Sequence, residues 1–216
     1  MGKKIIPINP LNQTQSRIWE TLSSHYGLPK PFLNHQTPFQ HLVAIILSAQ
    51  STDAMVNTIS PNLFAKYGTP ELISQASLSE IEICLKQLGL YRSKAKHIHA
   101  LGQILCTNFN HTVPSSYEEL ISLPGVGRKT AHVYLNLTYN LPLIGVDTHV
   151  LRLSKRMGLS DSNNPIKVEQ DLYKHVPVSF HGNVNYLLVS HGRAICTAKK
   201  PNCIACPIHS VCTKLL

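Results

Sequence analysis

Apolar residues recur at helical spacing along most of the chain. Ile18, Leu22 and Tyr26 fall at i, i+4 and i+8 and predict a first helix, which Gly27 and Pro29 close. Thr37 followed by Pro38 reads as an N-cap and a first-turn proline, opening an apolar helix over 39–49. Thr69-Pro70-Glu71 repeats that device, and Ser77 with Glu80 forms a capping-box pattern ahead of 81–88. Ser93 is expected to open a longer helix with Ile98, Leu101 and Leu105 inward, and Ser115 with Glu118 to cap the next, running towards Leu123. Further helices are predicted over 127–140, 148–157, 165–174 and 180–194. No segment alternates convincingly as a strand would, so the pattern predicts an all-α protein with short polar connections.

Composition narrows the picture. The chain has 216 residues, 43% of them hydrophobic and only 14% charged, which suits a packed core and excludes general disorder. The longest apolar run, Leu42 to Leu47, is far short of the roughly 20 residues that cross a bilayer. The opening Met-Gly-Lys-Lys-Ile-Ile-Pro lacks a signal-peptide apolar stretch, and Ile6 departs from the myristoylation pattern. A cytoplasmic protein is expected.

Lysine and arginine together number 20 against 11 acidic residues, a net charge of +9. After Asp171 no acidic residue occurs, while Lys174, Arg193, Lys199, Lys200 and Lys214 are basic. A field of one sign suits a polyanion such as nucleic acid. Of the six cysteines, Cys84 and Cys106 stand alone in helical patterns and are expected as small buried hydrophobes. Cys196, Cys203, Cys206 and Cys212 cluster near the end of the sequence. Without a secretory signal such a cluster reads as metal ligands rather than disulfides.

Between two predicted helices lies Leu123-Pro124-Gly125-Val126-Gly127-Arg128-Lys129-Thr130-Ala131. Two glycines one residue apart permit a tight hairpin, and their amides with those of the following helix could cradle a phosphate. A nucleotide-binding P-loop is excluded, because Arg128 separates the second glycine from the lysine and the preceding segment is helical. By residue type alone, a plain helical corner and a phosphate site both remain open.

The neighbouring residues resemble a known family. The glycine segment is similar to the helix-hairpin-helix of the DNA repair glycosylases, specifically the endonuclease III family. Val146-Asp147-Thr148-His149-Val150, with Asp147 eighteen positions after Lys129, resembles that family's catalytic aspartate segment. Leu47-Ser48-Ala49-Gln50-Ser51-Thr52-Asp53 and Leu88-Gly89-Leu90-Tyr91-Arg92-Ser93-Lys94 resemble two others. The spacing Cys-x6-Cys-x2-Cys-x5-Cys matches the family's [4Fe–4S] loop. These ordered motifs run from about Pro38 to Cys212.

The resemblance implies two interleaved helical domains. One is a six-helix barrel-like domain over 31–141 carrying the helix-hairpin-helix near 116–139. The other joins 1–30 to 142–216 and holds the cluster loop 196–212. It also implies a monomeric base excision repair enzyme, associated with the nucleoid if the source is bacterial. Such an enzyme binds duplex DNA bearing a damaged base or an abasic site, removes oxidised pyrimidines and cleaves the strand as a lyase. Lys129 would be the nucleophile at C1′, its proton loosened by Arg128 and the helix N-terminus, and Asp147 would stabilise the sugar's positive charge. As a residue type, Asp147 equally suits a helix cap ahead of Thr148, and His149 suits a supporting role. Gln50 and Leu90 would fill the gap left by an everted nucleotide, and the amides of Gly125, Val126 and Gly127 would hold a phosphate. Lys199 and Lys200 would meet the DNA backbone. Structural zinc usually takes two short cysteine pairs, whereas one Cys-x2-Cys flanked by longer gaps suits a compact loop around a cluster.

His132 and Arg92 depart from residues common in the family. A related glycosylase directed at ultraviolet photoproducts or mismatches, and a non-catalytic DNA-binding module, are the competing readings.

Overall fold

A computed structural model of the protein describes residues 10–213, with the backbone alone described over 10–15. Lys214 and the opening residues 1–7 lie outside the described residues. Among those described, eleven α-helices and a 3₁₀ turn account for the regular structure, and no strand occurs. The architecture is therefore all-α. The chain divides into two compact units: Pro31–Tyr139, and the segment through Lys30 joined with the chain from Asn140 onward.

The first unit holds α2 (Pro38–Ser48), α3 (Asp53–Tyr67), α4 (Pro70–Gln75), α5 (Leu78–Leu85), α6 (Tyr91–Asn108), α7 (Tyr117–Ile121) and α8 (Arg128–Tyr139). Side-chain caps set most of its helix starts. Thr37 accepts the Gln40 amide, Thr69 the Leu72 amide, and Ser77 forms a full capping box with Glu80. The apolar run in α2 is buried throughout, and α6 turns Ile98, Leu101 and Leu105 into the same core. The helix α6 packs on α4 and α5, and α2 on α3 and α8.

Four details depart from the sequence reading. The helix α3 has no counterpart there: Thr52 caps it and Val56, Ile59 and Leu63 are buried, but Pro61 in its middle masks the pattern. The start of α6 is Tyr91 rather than Ser93, because Leu90 takes a left-handed conformation (φ 56°) that turns the chain into the helix without a side-chain cap. The cap of α7 is Ser116, accepting the Glu119 amide, not Ser115 with Glu118. The doubled Ser-Ser and Glu-Glu allow both registers, and the buried Leu120 and Leu123 go with the later one. Cys84 and Cys106 are only partly buried. Cys84 flanks the stripe of Ile81 and Leu85, and Cys106 sits 3.7 Å from the Ser74 hydroxyl.

The second unit holds α1 (Pro10–Tyr26), α9 (Thr148–Arg156), α10 (Pro165–His175), the 3₁₀ turn Val178–Asn183 and α11 (Val184–Ala194). The helix expected from Phe180 thus begins as a 3₁₀ turn and becomes α-helical only at Val184. Trp19 and Leu22 of α1 join Val150 and Leu153 of α9, Leu172 of α10 and Leu187 of α11 in one apolar cluster. The α9–α11 contact is close: a Cβ at Gly192 would stand 2.6 Å from His149 Nδ1 and 2.8 Å from Arg152 Nη2.

Within the first unit His41 is buried, with Nδ1 2.9 Å from the Thr138 hydroxyl and its ring stacked on His35 at 4.0 Å. Burial, then the neighbouring His35, push its pKa down from 6.5 to about 4. The unfolded chain binds this proton more readily, so the stability His41 confers is present above pH 6.5 and is lost as pH falls towards 4. At 1.36 kcal/mol per unit the loss is on the order of 3 kcal/mol. Melting curves of wild type should therefore fall across that window, and those of His41→Asn should fall less. Parallel curves would contradict this.

Candidate functional site

The hairpin between α7 and α8 is built on Gly125. Its φ is 77°, and a Cβ there would stand 3.0 Å from His97 Cβ on α6 and 3.2 Å from Ile46 Cγ2 on α2. A left-handed backbone and a tight approach thus coincide at one position, which only glycine satisfies without strain. Val126 is buried, and its amide donates to the Leu123 carbonyl at 3.1 Å. That amide is used inside the turn, so Val126 anchors the hairpin. Gly127 is exposed, with open space where a Cβ would be, and its carbonyl accepts the Ala131 amide at 2.9 Å as α8 begins. The first-turn amides of α8 have no carbonyl one turn back, as at any helix start. Lys129 is the second residue of α8 and is half-buried. Arg128 beside it folds onto α7, donating to the Tyr117 hydroxyl at 3.2 Å with its guanidinium 5.7 Å from that ring's centre.

Gln50 and Leu90 occupy two neighbouring turns of the same unit. Both are non-glycine residues in left-handed backbone, at φ 53° and 56°, a conformation that costs a branched or bulky residue free energy and clusters at functional sites. Leu90 is 58% exposed, unusual for a leucine beside a core helix. The two turns touch: a Cβ at Gly89 would lie 3.2 Å from the Gln50 carbonyl oxygen. Lys94, 4% exposed, crosses between them and donates to the Ser51 hydroxyl at 2.8 Å. Desolvation lowers its pKa. Through His97 and Ile46, the hairpin glycine packs on the same two helices, α6 and α2, that present Leu90 and Gln50.

In the other unit Asp147 is the N-cap of α9, its Oδ1 accepting the Val150 amide at 2.8 Å. The extended lead into it is fixed: Ile144 is buried and donates its amide to the Tyr173 hydroxyl at 3.0 Å, and Asn185 donates to the Gly145 carbonyl at 2.8 Å. His149 lies in the first turn of α9, 3.3 Å from Arg152 Nη2. His132, on α8, is buried against the Tyr117 ring, and Arg92 lies over the Tyr91 ring. Lys129 and Asp147 thus belong to different units of the chain.

The four clustered cysteines do come together. Cys196, Cys203, Cys206 and Cys212 line one cavity with apolar walls from Met157, Ile195 and Ile208. Burial pushes the Cys206 thiol up, and the other three cysteines add to the rise. The donor set, four sulfurs around one mainly apolar cavity, fits an iron–sulfur cluster.

The loop that carries these cysteines is held by α9. Arg152 donates to the carbonyls of Gly192 and Cys196 at 3.1 and 3.0 Å. One turn on, Arg156 donates to Cys196 Sγ at 3.4 Å and to the carbonyls of Thr197 and Ala198 at 2.8 and 2.9 Å. Lys199 and Lys200 are exposed just beyond that grip, in a turn closed by Thr197 Oγ1 donating to the Lys200 carbonyl. Behind the cavity His191 is 1% exposed, with Tyr26 Oη 2.9 Å from its Nδ1 and Cys206 Sγ 3.5 Å from its Nε2. Burial, then nearby His25, lower its pKa to about 4 and keep it neutral near pH 7. None of Arg152, Arg156, His191 or Tyr26 belongs to the sequence motifs, and Lys94 ends one of them with no role read for it.

Comparison with known proteins shows the family. A family model described as HhH-GPD superfamily base excision DNA repair protein matches residues 43–177. Endonuclease III of Rickettsia conorii is 42% identical over 200 residues, covering 93% of this chain and 95% of its own. Endonuclease III of Bacillus subtilis is 41% identical over 181 residues, 83% of each chain. The solved structure of a trapped endonuclease III–DNA covalent intermediate superposes with a TM-score of 0.88 at 37% identity, covering 94% of this chain and 96% of that one. The chain belongs to the HhH-GPD superfamily of base excision DNA repair proteins and, within it, to the endonuclease III family.

The two hairpin glycines make different demands. Gly125→Ala must adopt a positive φ and displace His97, at a cost of roughly 2 kcal/mol or more. Gly127→Ala meets open space and should cost under about 1 kcal/mol, the usual difference at a helix start. Urea unfolding of both variants checks this, and equal costs would contradict the assigned geometry.

Proposed function

We propose that this enzyme of base excision repair, a DNA glycosylase with the lyase activity typical of its family, removes oxidised pyrimidines from duplex DNA through Lys129 and Asp147. The observation that carries the reading is Lys129 in the first turn of α8, two residues after the exposed Gly127 of the hairpin.

Lys129 in its neutral form attacks C1′ of the damaged nucleotide with its nitrogen lone pair. The C1′–base bond breaks and the base leaves with that electron pair, taking up a proton. The attached amine gives up one proton, its lone pair then breaks the C1′–O4′ bond, and O4′ takes up a proton as the ring opens, leaving an iminium between Lys129 Nζ, which keeps one hydrogen, and C1′. The iminium acidifies the C2′ hydrogens. Removal of one expels the 3′ phosphate by β-elimination and cuts the strand. One nitrogen thus serves base removal and strand cleavage.

Asp147 contributes a carboxylate to the positive charge that grows on the sugar as the base departs. Its hydrogen bond with the Val150 amide holds one oxygen in place. Gln50 and Leu90 enter the duplex where the nucleotide has swung out, and their left-handed backbone lets the side chains project from the turns. The Gly125 and Gly127 amides take a backbone phosphate, a contact that positions and does not select. Lys199 and Lys200 meet the DNA backbone from the cysteine loop. Cys196, Cys203, Cys206 and Cys212 hold a [4Fe–4S] cluster, which ties that loop into a fixed shape. We place the protein in the cytoplasm, at the nucleoid.

Incision assays on duplexes with thymine glycol or an abasic site test the roles. Lys129→Ala should lose both activities and keep duplex binding within a few-fold of wild type, since about one phosphate-range charge is removed. Asp147→Asn retains a good helix cap, so its stability should hold while base-removal turnover falls by about 100-fold. Full activity in Lys129→Ala would point to a different nucleophile, wild type that binds duplex without either activity would leave a DNA-binding module, and full turnover in Asp147→Asn would reduce Asp147 to a cap. Purified protein should be brown and contain iron and acid-labile sulfide. Zinc without iron would overturn the cluster assignment.

A further inference from the structure

Tyr26, His191 and Cys206 form a continuous line inside the second unit, although Tyr26 and His191 are 165 positions apart. The imidazole is 1% exposed, so each ring nitrogen must find its partner within the protein. Nδ1 has the Tyr26 hydroxyl at 2.9 Å, and Nε2 has Cys206 Sγ at 3.5 Å, a normal length for the larger sulfur atom. The tyrosine is itself held, since the Tyr186 hydroxyl donates to the Tyr26 carbonyl at 3.1 Å and the Tyr26 ring meets the His191 ring edge-on at 5.9 Å. A thiolate bound to iron can only accept a hydrogen bond. Nε2 must then carry the proton, Nδ1 becomes the acceptor of a neutral ring, and the phenol donates to it. The polarity of the whole line follows from the ligand at its end: Tyr26 O–H to His191 Nδ1, His191 Nε2–H to Cys206 Sγ.

We propose that Tyr26 and His191 act as positioning residues for the cluster, forming a hydrogen-bond relay onto the Cys206 sulfur that raises the cluster's reduction potential and slows its loss. The relay rests on the cluster reading above. An N–H dipole pointed at a cluster sulfur stabilises the more negatively charged, reduced form, and such bonds are among the levers that set iron–sulfur potentials. Groups that orient ligands from behind are commonly worth 10–100-fold in metal retention. Arg156, donating to Cys196 Sγ at 3.4 Å, gives a second cluster sulfur a donor. It also carries the loop backbone, so its removal would confound fold with potential. Tyr26 and His191 separate the two.

Protein film voltammetry on the iron-loaded enzyme reads the potential, and the rate of iron release to a chelator reads retention. Tyr26→Phe removes one oxygen atom and leaves the ring packing. It should shift the potential to a more negative value with the cluster fully loaded. His191→Leu should shift it further and release iron about tenfold faster. His191→Gln, whose side-chain amide can still donate, should restore most of both. If His191→Leu fails to fold, Tyr26→Phe decides alone. Fully loaded variants with the wild-type potential would overturn the relay while leaving the cluster intact. Wild-type protein lacking iron and sulfide would overturn both together. A merely structural role for these side chains would alter melting temperature without moving the potential.

Discussion

The contact of Gly125 with His97 and Ile46 governs the arrangement of the first unit. Because no side chain intervenes, the hairpin sits directly on α6 and α2, the two helices whose adjoining turns carry Leu90 and Gln50. The start of α8, with Lys129, is thereby fixed relative to the two left-handed turns. Those turns in turn hold each other through the Gly89–Gln50 approach and the buried Lys94–Ser51 hydrogen bond. An ammonium buried against a neutral hydroxyl stabilises weakly by itself. Its value lies in fixing the turns that display an exposed leucine and a glutamine in strained backbone.

The second unit solves a different problem. Beyond α11 the chain has little regular structure, and its hydrogen bonds must come from elsewhere. Two arginines one turn apart on α9 supply five donor contacts to residues 192–198, and Ile208 anchors the far side of the loop in the apolar cluster. The same helix begins at Asp147, so one short helix joins the cysteine loop to the carboxylate proposed for catalysis.

The sequence made local signals legible and long-range ones invisible. Capping threonines and serines marked the starts of α2, α4 and α5, because a cap is a contact between residues three apart. The same logic misplaced α6, whose entry is a strained Leu90 rather than a polar cap, and slipped one residue at the doubled Ser115-Ser116. Pro61 hid α3, since a proline usually ends a helix and only tertiary packing overrides it here. For the proposed site, resemblance to family motifs pointed to Lys129, Asp147 and the four cysteines. It assigned no role to Tyr26, His191, Arg156 and Lys94, because their roles depend on partners 40 to 165 positions away. Val126 was read as a phosphate-binding amide, yet that amide is spent within the turn.

The central claim is that a single lysine nitrogen performs base removal and strand cleavage. Its most direct test is borohydride reduction of wild-type enzyme on duplex containing thymine glycol, followed by peptide mapping of the trapped adduct by mass spectrometry. The account predicts a covalent sugar remnant on Lys129 and on no other residue. An adduct on another amine, or none while the base is still released, would contradict it.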